Sequence, residues 1–238
     1  MFKSKLILNV LMFFIIGMVG GIFAEQIFWP YFIEKPIMEQ YHISERPIYV
    51  TEEKTSYIEE NKALKEAIDK AKNTVIGVKT KTISGRILEG SGFVLSSDGL
   101  IVTLAELVPQ GSTFSFYVDG EAVDYQILKR DLAINLALVK LNSKKLSSAG
   151  FANLKTTYLG ERVFSLGIEA NEPVQYLVDE GVIRTIKEKI IETNINDEGF
   201  VGSPLFNIKG ELVGINVPSI NGLLTVIPVN VIREFAGF

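Results

Sequence analysis

From Asn73 onward, apolar and polar residues alternate along this chain, and short Gly-containing turns break the alternation at brief intervals. Strict alternation puts one face of an extended segment inward and the other outward, so the pattern commits this region to β-structure. Strands are expected at 75–78, 90–95, 100–103, 114–118, 123–127 and 136–141, with Asp119-Gly120 as a hairpin turn between two of them. The small, polar stretch 143–153 links this unit to a second one, with strands expected at 162–166, 174–177, 181–186, 190–193, 205–208, 211–217 and 223–227. Many short strands, few helices and Gly-marked turns mean an all-β barrel or sandwich.

Upstream the pattern changes. Residues 59–72, EENKALKEAIDKAK, carry Leu64, Ala67, Ile68 and Ala71 at helical spacing, which predicts a short amphipathic helix docked on its own domain. Further upstream, Leu6 to Ala24 carries no charge and is long enough to cross a hydrocarbon core of about 30 Å. Lys3 and Lys5 precede it, and Phe28, Trp29 and Tyr31 follow it as an aromatic belt. The positive-inside rule then puts the N-terminus in the cytoplasm and the rest outside. A cleaved signal is the competing reading, but the run exceeds a usual signal core and Ile22-Phe23-Ala24 is a poor cleavage site. Residues 25–58, interrupted by Pro30, Pro36 and Pro47, read as a stalk with a short strand at 47–51.

Of the 238 residues, 47% are hydrophobic and 22% charged, which supports a buried core. The net charge of −4 argues against a nucleic-acid partner, which calls for a basic face. With no cysteine, disulfides, thiolate metal sites and thiol nucleophiles are excluded. The single histidine, His42, lies in the stalk, where an exposed, non-catalytic role is expected. No cofactor is called for, and Glu106 without histidine or cysteine nearby is too poor a ligand set for a metal.

Several motifs in order carry a resemblance. They are Gly90-Ser-Gly-Phe93, Ile101-Val-Thr-Leu-Ala-Glu-Leu-Val108, Asn135-Leu-Ala-Leu-Val-Lys-Leu141, Gly160-Glu-Arg-Val-Phe-Ser-Leu-Gly167, Gly181-Val-Ile-Arg184, the run from Gly199 to Asn216, and Val226-Ile-Pro228. Together they resemble the trypsin-like serine proteases, most closely the HtrA (Deg) branch, over about residues 60–238. The resemblance implies two six-stranded antiparallel β-barrels, at about 74–142 and 154–238, with a cleft between them. Members of that family often trimerise through the region before the first strand, here 48–57 and the 59–72 helix, so the resemblance makes a homo-oligomer an expectation without fixing its number. No PDZ domain is expected, because the chain ends ten residues after Pro228.

Such proteases need a serine that attacks, a histidine that carries its proton and an aspartate that fixes the histidine tautomer. Carried over residue by residue, those positions hold Val201, Glu106 and Asn135. None of the three suits its role, so no catalytic residue is assigned. The resemblance leaves the backbone N–H groups of Gly199 and Val201 as an oxyanion-hole-like pair. It also leaves Phe200, Asn216, Val217, Pro218 and Ser219 as candidate peptide contacts, because an extended peptide adds to a strand without any catalyst. The expected function is that of a membrane-anchored, inactive protease homologue that binds or scaffolds proteins outside the cytoplasm. Two alternatives stand beside it: an endopeptidase with a non-standard site using Ser203, and a structural envelope component whose cleft is filled by Phe200 and Val201.

Overall fold

The computed structural model describes residues 2–27, 29, 61–143, 146–169, 175–196, 199–218 and 223–238. The chain divides into two units, Met1–Lys54 and Thr55–Phe238. In the first, α1 (Phe2–Phe23) is followed by a wider helical turn at 24–27, and the stretch Asn9–Ile27 is long and apolar enough to cross a membrane. A signal sequence has the same properties. The stalk's expected short strand at 47–51 and His42 lie outside the described residues.

The second unit opens with α2 (residues 61–71). Its Ala67 and Ala71 are buried and Leu64 and Ile68 pack on the same core, so the apolar stripe legible in the sequence is the docked face. The Thr74 hydroxyl donates to the Ala71 carbonyl at 2.7 Å and closes the helix end. Seven strands follow: β1 (Val75–Lys81), β2 (Ile87–Ser96), β3 (Leu100–Leu104), β4 (Thr113–Val118), β5 (Glu121–Val123), β6 (Tyr125–Asp131) and β7 (Leu136–Leu141). They pair in the order β5-β4-β1-β2-β3-β7-β6. Asp119 and Gly120 make the tight β4–β5 turn with φ of 50° and 86°, which matches the twist that a two-residue hairpin needs.

Here the structure departs from the expected first barrel, because this sheet has seven strands and two edges. The expected single strand at 123–127 is broken at Asp124, so that β5 pairs with β4 while β6 turns away to pair with β7. The two edges are therefore joined covalently through one residue, while hydrogen bonding between them stops there.

The remaining strands are β8 (Arg162–Glu169), β9 (Gln175–Ile186), β10 (Ile191–Asn196), β11 (Pro204–Asn207), β12 (Leu212–Pro218) and β13 (Leu223–Pro228). They close into a six-stranded barrel in the order β10-β13-β12-β11-β8-β9, as expected for the second unit. Two expected strands, 174–177 and 181–186, fall within one continuous strand, β9, which pairs with β8 from Gln175 to Val182 and with β10 from Ile183 to Ile186, residue 174 lying outside the described residues. A short helix that the alternation did not announce, α3 (Val229–Ala236), ends the chain and buries Val229, Ile232 and Phe235. Lys129 of β6 ties it to the first sheet by donating to the Phe235 carbonyl at 2.9 Å.

The larger apolar core spans both sheets: Phe164 and Phe206 of the barrel stack at 5.5 Å and join a cluster that includes Ile76, Phe93 and Val139 of the first sheet. A smaller cluster, with Ile183, Leu205 and Val226, fills the closed barrel. Burying this much aliphatic and aromatic surface from both sheets locks them against each other.

Candidate functional site

β3 and β7 are antiparallel neighbours with Leu104 opposite Leu136, so the end of one meets the start of the other. After Leu104 the chain enters a single 3-10 turn, Ala105–Leu107, that buries Ala105 and Leu107 and turns Glu106 outward. Asn135 precedes β7 with φ of 54°, a left-handed conformation that asparagine tolerates better than most residues. From there it meets Glu106 twice. Its Nδ2 donates to Glu106 Oε1 at 3.0 Å, and its Oδ1 accepts from the Glu106 N–H at 3.0 Å. The Ala105 N–H also donates to the Asn135 carbonyl, at 3.2 Å. The carboxylate is thus held by one oxygen, with its partner fixed by the backbone.

The turn that follows residue 198 is pressed against β2. Gly199 and Gly202 have φ of 78° and 71°. A Cβ at Gly202 would stand 2.5 Å from the Ser91 carbonyl oxygen, so glycine is required there for contact as well as for conformation. The Ser91 N–H donates to the Val201 carbonyl at 2.9 Å, and a Cβ at Gly90 would collide with that same oxygen. Toward the barrel, the Gly202 N–H donates to the Asn216 carbonyl at 3.0 Å and the Asn216 N–H to the Ser203 carbonyl at 2.9 Å. Among the described residues the N–H groups of Gly199 and Val201 carry no hydrogen bond.

Beneath the turn lies a fully buried polar trio, Ser165, Ser203 and Asn216. The Ser203 hydroxyl lies 2.8 Å from the Phe200 carbonyl, to which it donates, and 2.9 Å from the Ser165 hydroxyl, and it accepts from Asn216 Nδ2 at 2.9 Å. These bonds leave it turned inward, with no basic side chain among its partners. Asn216 Oδ1 is buried without a partner among the described residues.

Glu106 and Val201 line one cavity of about 450 Å³, together with Arg86, Ile87, Leu88, Glu89, Leu107 and Pro218. Its wall includes a strand edge. Ser91 points its N–H away from β1 and toward Val201, so by the antiparallel pattern Glu89 and Ile87, two and four residues earlier, direct their N–H and C=O groups the same way. β3 pairs with β2 only from Gly92 onward, so no described strand covers that edge at 87–89. Glu89 is paired across the strand with Lys79 at 2.7 Å, and its carboxylate holds the Lys79 ammonium above the usual lysine range.

The structure brings Glu106, Asn135 and Val201 to one cleft: the first two bond to each other, and Glu106 and Val201 share the cavity. It differs from the sequence expectation at two candidate peptide contacts. Phe200 is 6% exposed and packs inside the closed barrel, because its neighbour Gly199 turns the chain so that the ring enters the barrel core. Asn216 is fully buried because both its backbone groups and its side chain serve the turn. Val217 is half-buried, Pro218 stands exposed on the cavity wall, and Ser219 lies outside the described residues. Arg86, Ile87 and Glu89 were not singled out from the sequence. The apolar pair Ile87-Leu88, standing between the Ser84-Gly85 turn and Gly90, was the signal available for a longer strand.

Comparison with known proteins agrees with this geometry. The family model described as a trypsin-like peptidase domain matches residues 90–215. The chain is 32% identical over 162 residues to "Serine protease HTRA1" of Xenopus laevis, covering 61% of this chain and 35% of the relative. It is 28% identical over 164 residues to "Probable periplasmic serine endoprotease DegP-like" of Rhizobium meliloti (strain 1021), covering 61% of this chain and 32% of the relative. The chain therefore spans about a third of the length of these curated relatives.

Proposed function

The chain belongs to the trypsin-like peptidase domain family, and from that premise we propose that it is a catalytically inactive member, anchored in a membrane, that holds extended segments of other proteins outside the cytoplasm. The carrying observation is the chemistry at the cleft. Val201 has no heteroatom to attack a carbonyl, and the Glu106 carboxylate is engaged by the Asn135 amide rather than by a nucleophile. In hydrolases of this kind, loss of the nucleophile or of the base alone costs on the order of 10⁶ in kcat. Ser203 does not supply a substitute, since its hydroxyl is buried and donates to the Phe200 carbonyl.

Binding is supported by what stays open. A cavity of about 450 Å³ lies beside Val201, and the 87–89 edge of β2 offers unpaired backbone groups to it. An extended peptide gains main-chain hydrogen bonds at such an edge without any reactive group. Phe200, packed within the barrel, leaves the cleft unfilled, which favours a groove over a purely structural role. On this reading the apolar segment from Leu6 to Ala24 is the anchor, 25–58 the stalk, and 59–238 the protease-homology domain. Homo-oligomer formation through the region before β1 belongs to the same proposal.

The test is a fluorophosphonate probe and a casein cleavage assay on the full chain in detergent micelles, beside a screen of extended peptides. Neither labelling nor cleavage is expected, and peptides should bind. Covalent labelling mapped to Ser203, with cleavage that disappears in Ser203→Ala, would overturn the assignment.

A further inference from the structure

We infer that the cleft selects its peptide by charge pattern, taking a basic side chain at the Glu106 end and an acidic side chain about four residues away at the Arg86 end. This rests on the cleft being a peptide groove. It adds a partner chemistry that the family's reactive residues do not provide.

The two ends carry opposite charges that the fold leaves unneutralised. At one end, Asn135 Nδ2 occupies Glu106 Oε1, and Oε2 has no partner among the described residues while the side chain is exposed and lines the cavity. The Asn135 bond also fixes the orientation of the carboxylate, so less rotamer entropy is lost when a cation docks. At the other end, Arg86 is exposed, lines the same cavity and forms no ion pair among the described residues. The charge between them, Glu89, is already matched by Lys79 and does not compete.

The spacing follows from the strand. A Cβ at Gly90 would meet both Leu107, the residue after Glu106, and the Val201 carbonyl oxygen, so Gly90 marks the Glu106 end. Arg86, the residue immediately ahead of β2, lies four residues before it, about 13 Å at strand rise. A peptide paired along the 87–89 edge covers that distance in four residues of its own, and residues i and i+4 point to the same face. Leu88, Leu107, Val201 and Pro218 form the apolar wall between the two charges. Exposed charges of this kind decide specificity and encounter more than gross affinity.

The test uses the full chain in detergent micelles and fluorescence anisotropy with labelled peptides of about ten residues. One peptide carries Lys and Glu four apart, a second has them reversed, and a third carries Gln at both positions. One of the charged orders should bind more tightly than the Gln peptide at low salt, by roughly two- to fivefold for each charge, and the preferred order gives the peptide's direction. Glu106→Gln keeps an acceptor for Asn135 and should remove only the share due to lysine; Arg86→Gln should remove only the share due to glutamate. If all three peptides bind equally, or if neither variant changes the preference, the charge-pattern inference is wrong and the groove stands. If none of them binds, the groove itself is refuted and this inference falls with it.

Discussion

Asn135→Asp is the most informative single change, because it puts a second carboxylate against Glu106 where an amide now donates. The variant keeps the acceptor for the Glu106 N–H but loses the Nδ2 donor, and it brings two carboxylate oxygens to the 3.0 Å now spanned by a hydrogen bond. Loss of the bond costs about 1 kcal/mol. Repulsion at that distance is about 1–2 kcal/mol when screened as for an exposed side chain, the low end of the Coulomb range. Together these give about 2–3 kcal/mol, a drop in Tm of roughly 5–10 °C for a domain of this size. The sign of the pH dependence follows. In the folded variant the carboxyl pair takes up a proton at higher pH than in the unfolded chain, and that proton replaces the lost donor. The folded state then binds more protons, so the deficit relative to wild type is full at pH 7.5 and smaller at pH 4. Glu106→Gln/Asn135→Asp reverses the donor and acceptor and should recover most of the loss. Thermal unfolding of the full chain in micelles, followed by circular dichroism at both pH values, measures all three proteins. A variant as stable as wild type at pH 7.5, or a deficit just as large at pH 4, would refute the reciprocal bond.

Phe200→Ala removes a ring packed inside the closed barrel and should destabilise the chain by about 3–5 kcal/mol without opening the cleft, which chemical denaturation and the peptide anisotropy assay check together. Asp98, hydrogen-bonded by Lys140 and then by Ser96, has its carboxyl held down to about 2. Its folded pKa is depressed, so its stabilising effect is present above the ordinary carboxylate value and is lost as pH falls toward 2. Asp98→Asn should therefore melt below wild type at pH 7 and level with it near pH 2; an equal gap at both pH values would contradict the assignment.

Most of the fold was legible because its signals are local. The short apolar runs at β1, β2, β7 and β12, the Asp119-Gly120 turn and the stripe of α2 each depend on residues within a few positions of one another. Where the reading missed, the deciding partner lies far along the chain. Asp124 sits between two segments whose pairing partners, β4 and β7, pull in different directions, and no local pattern marks that break. Two runs separated by Val178–Glu180 merged into β9 because β8 supplies one uninterrupted ladder beside them. α3 is too short for periodicity to declare, and its buried Val229, Ile232 and Phe235 make sense only against a core built elsewhere.

At the candidate site the division is sharper. Side-chain chemistry is a property of composition, so the sequence alone determined that position 201 has no nucleophile, that no cysteine exists, and that the one histidine lies in the segment before the β-rich region. Which groups meet is a property of closure. Glu106 and Asn135 are 29 residues apart and bond only because β3 and β7 lie side by side. Phe200 faces inward only because the barrel behind it has space for a ring, and the 87–89 edge is free only because β3 is shorter than β2. Each of these is decided by pairing and packing between segments distant in the chain, which is why tertiary structure had to settle them.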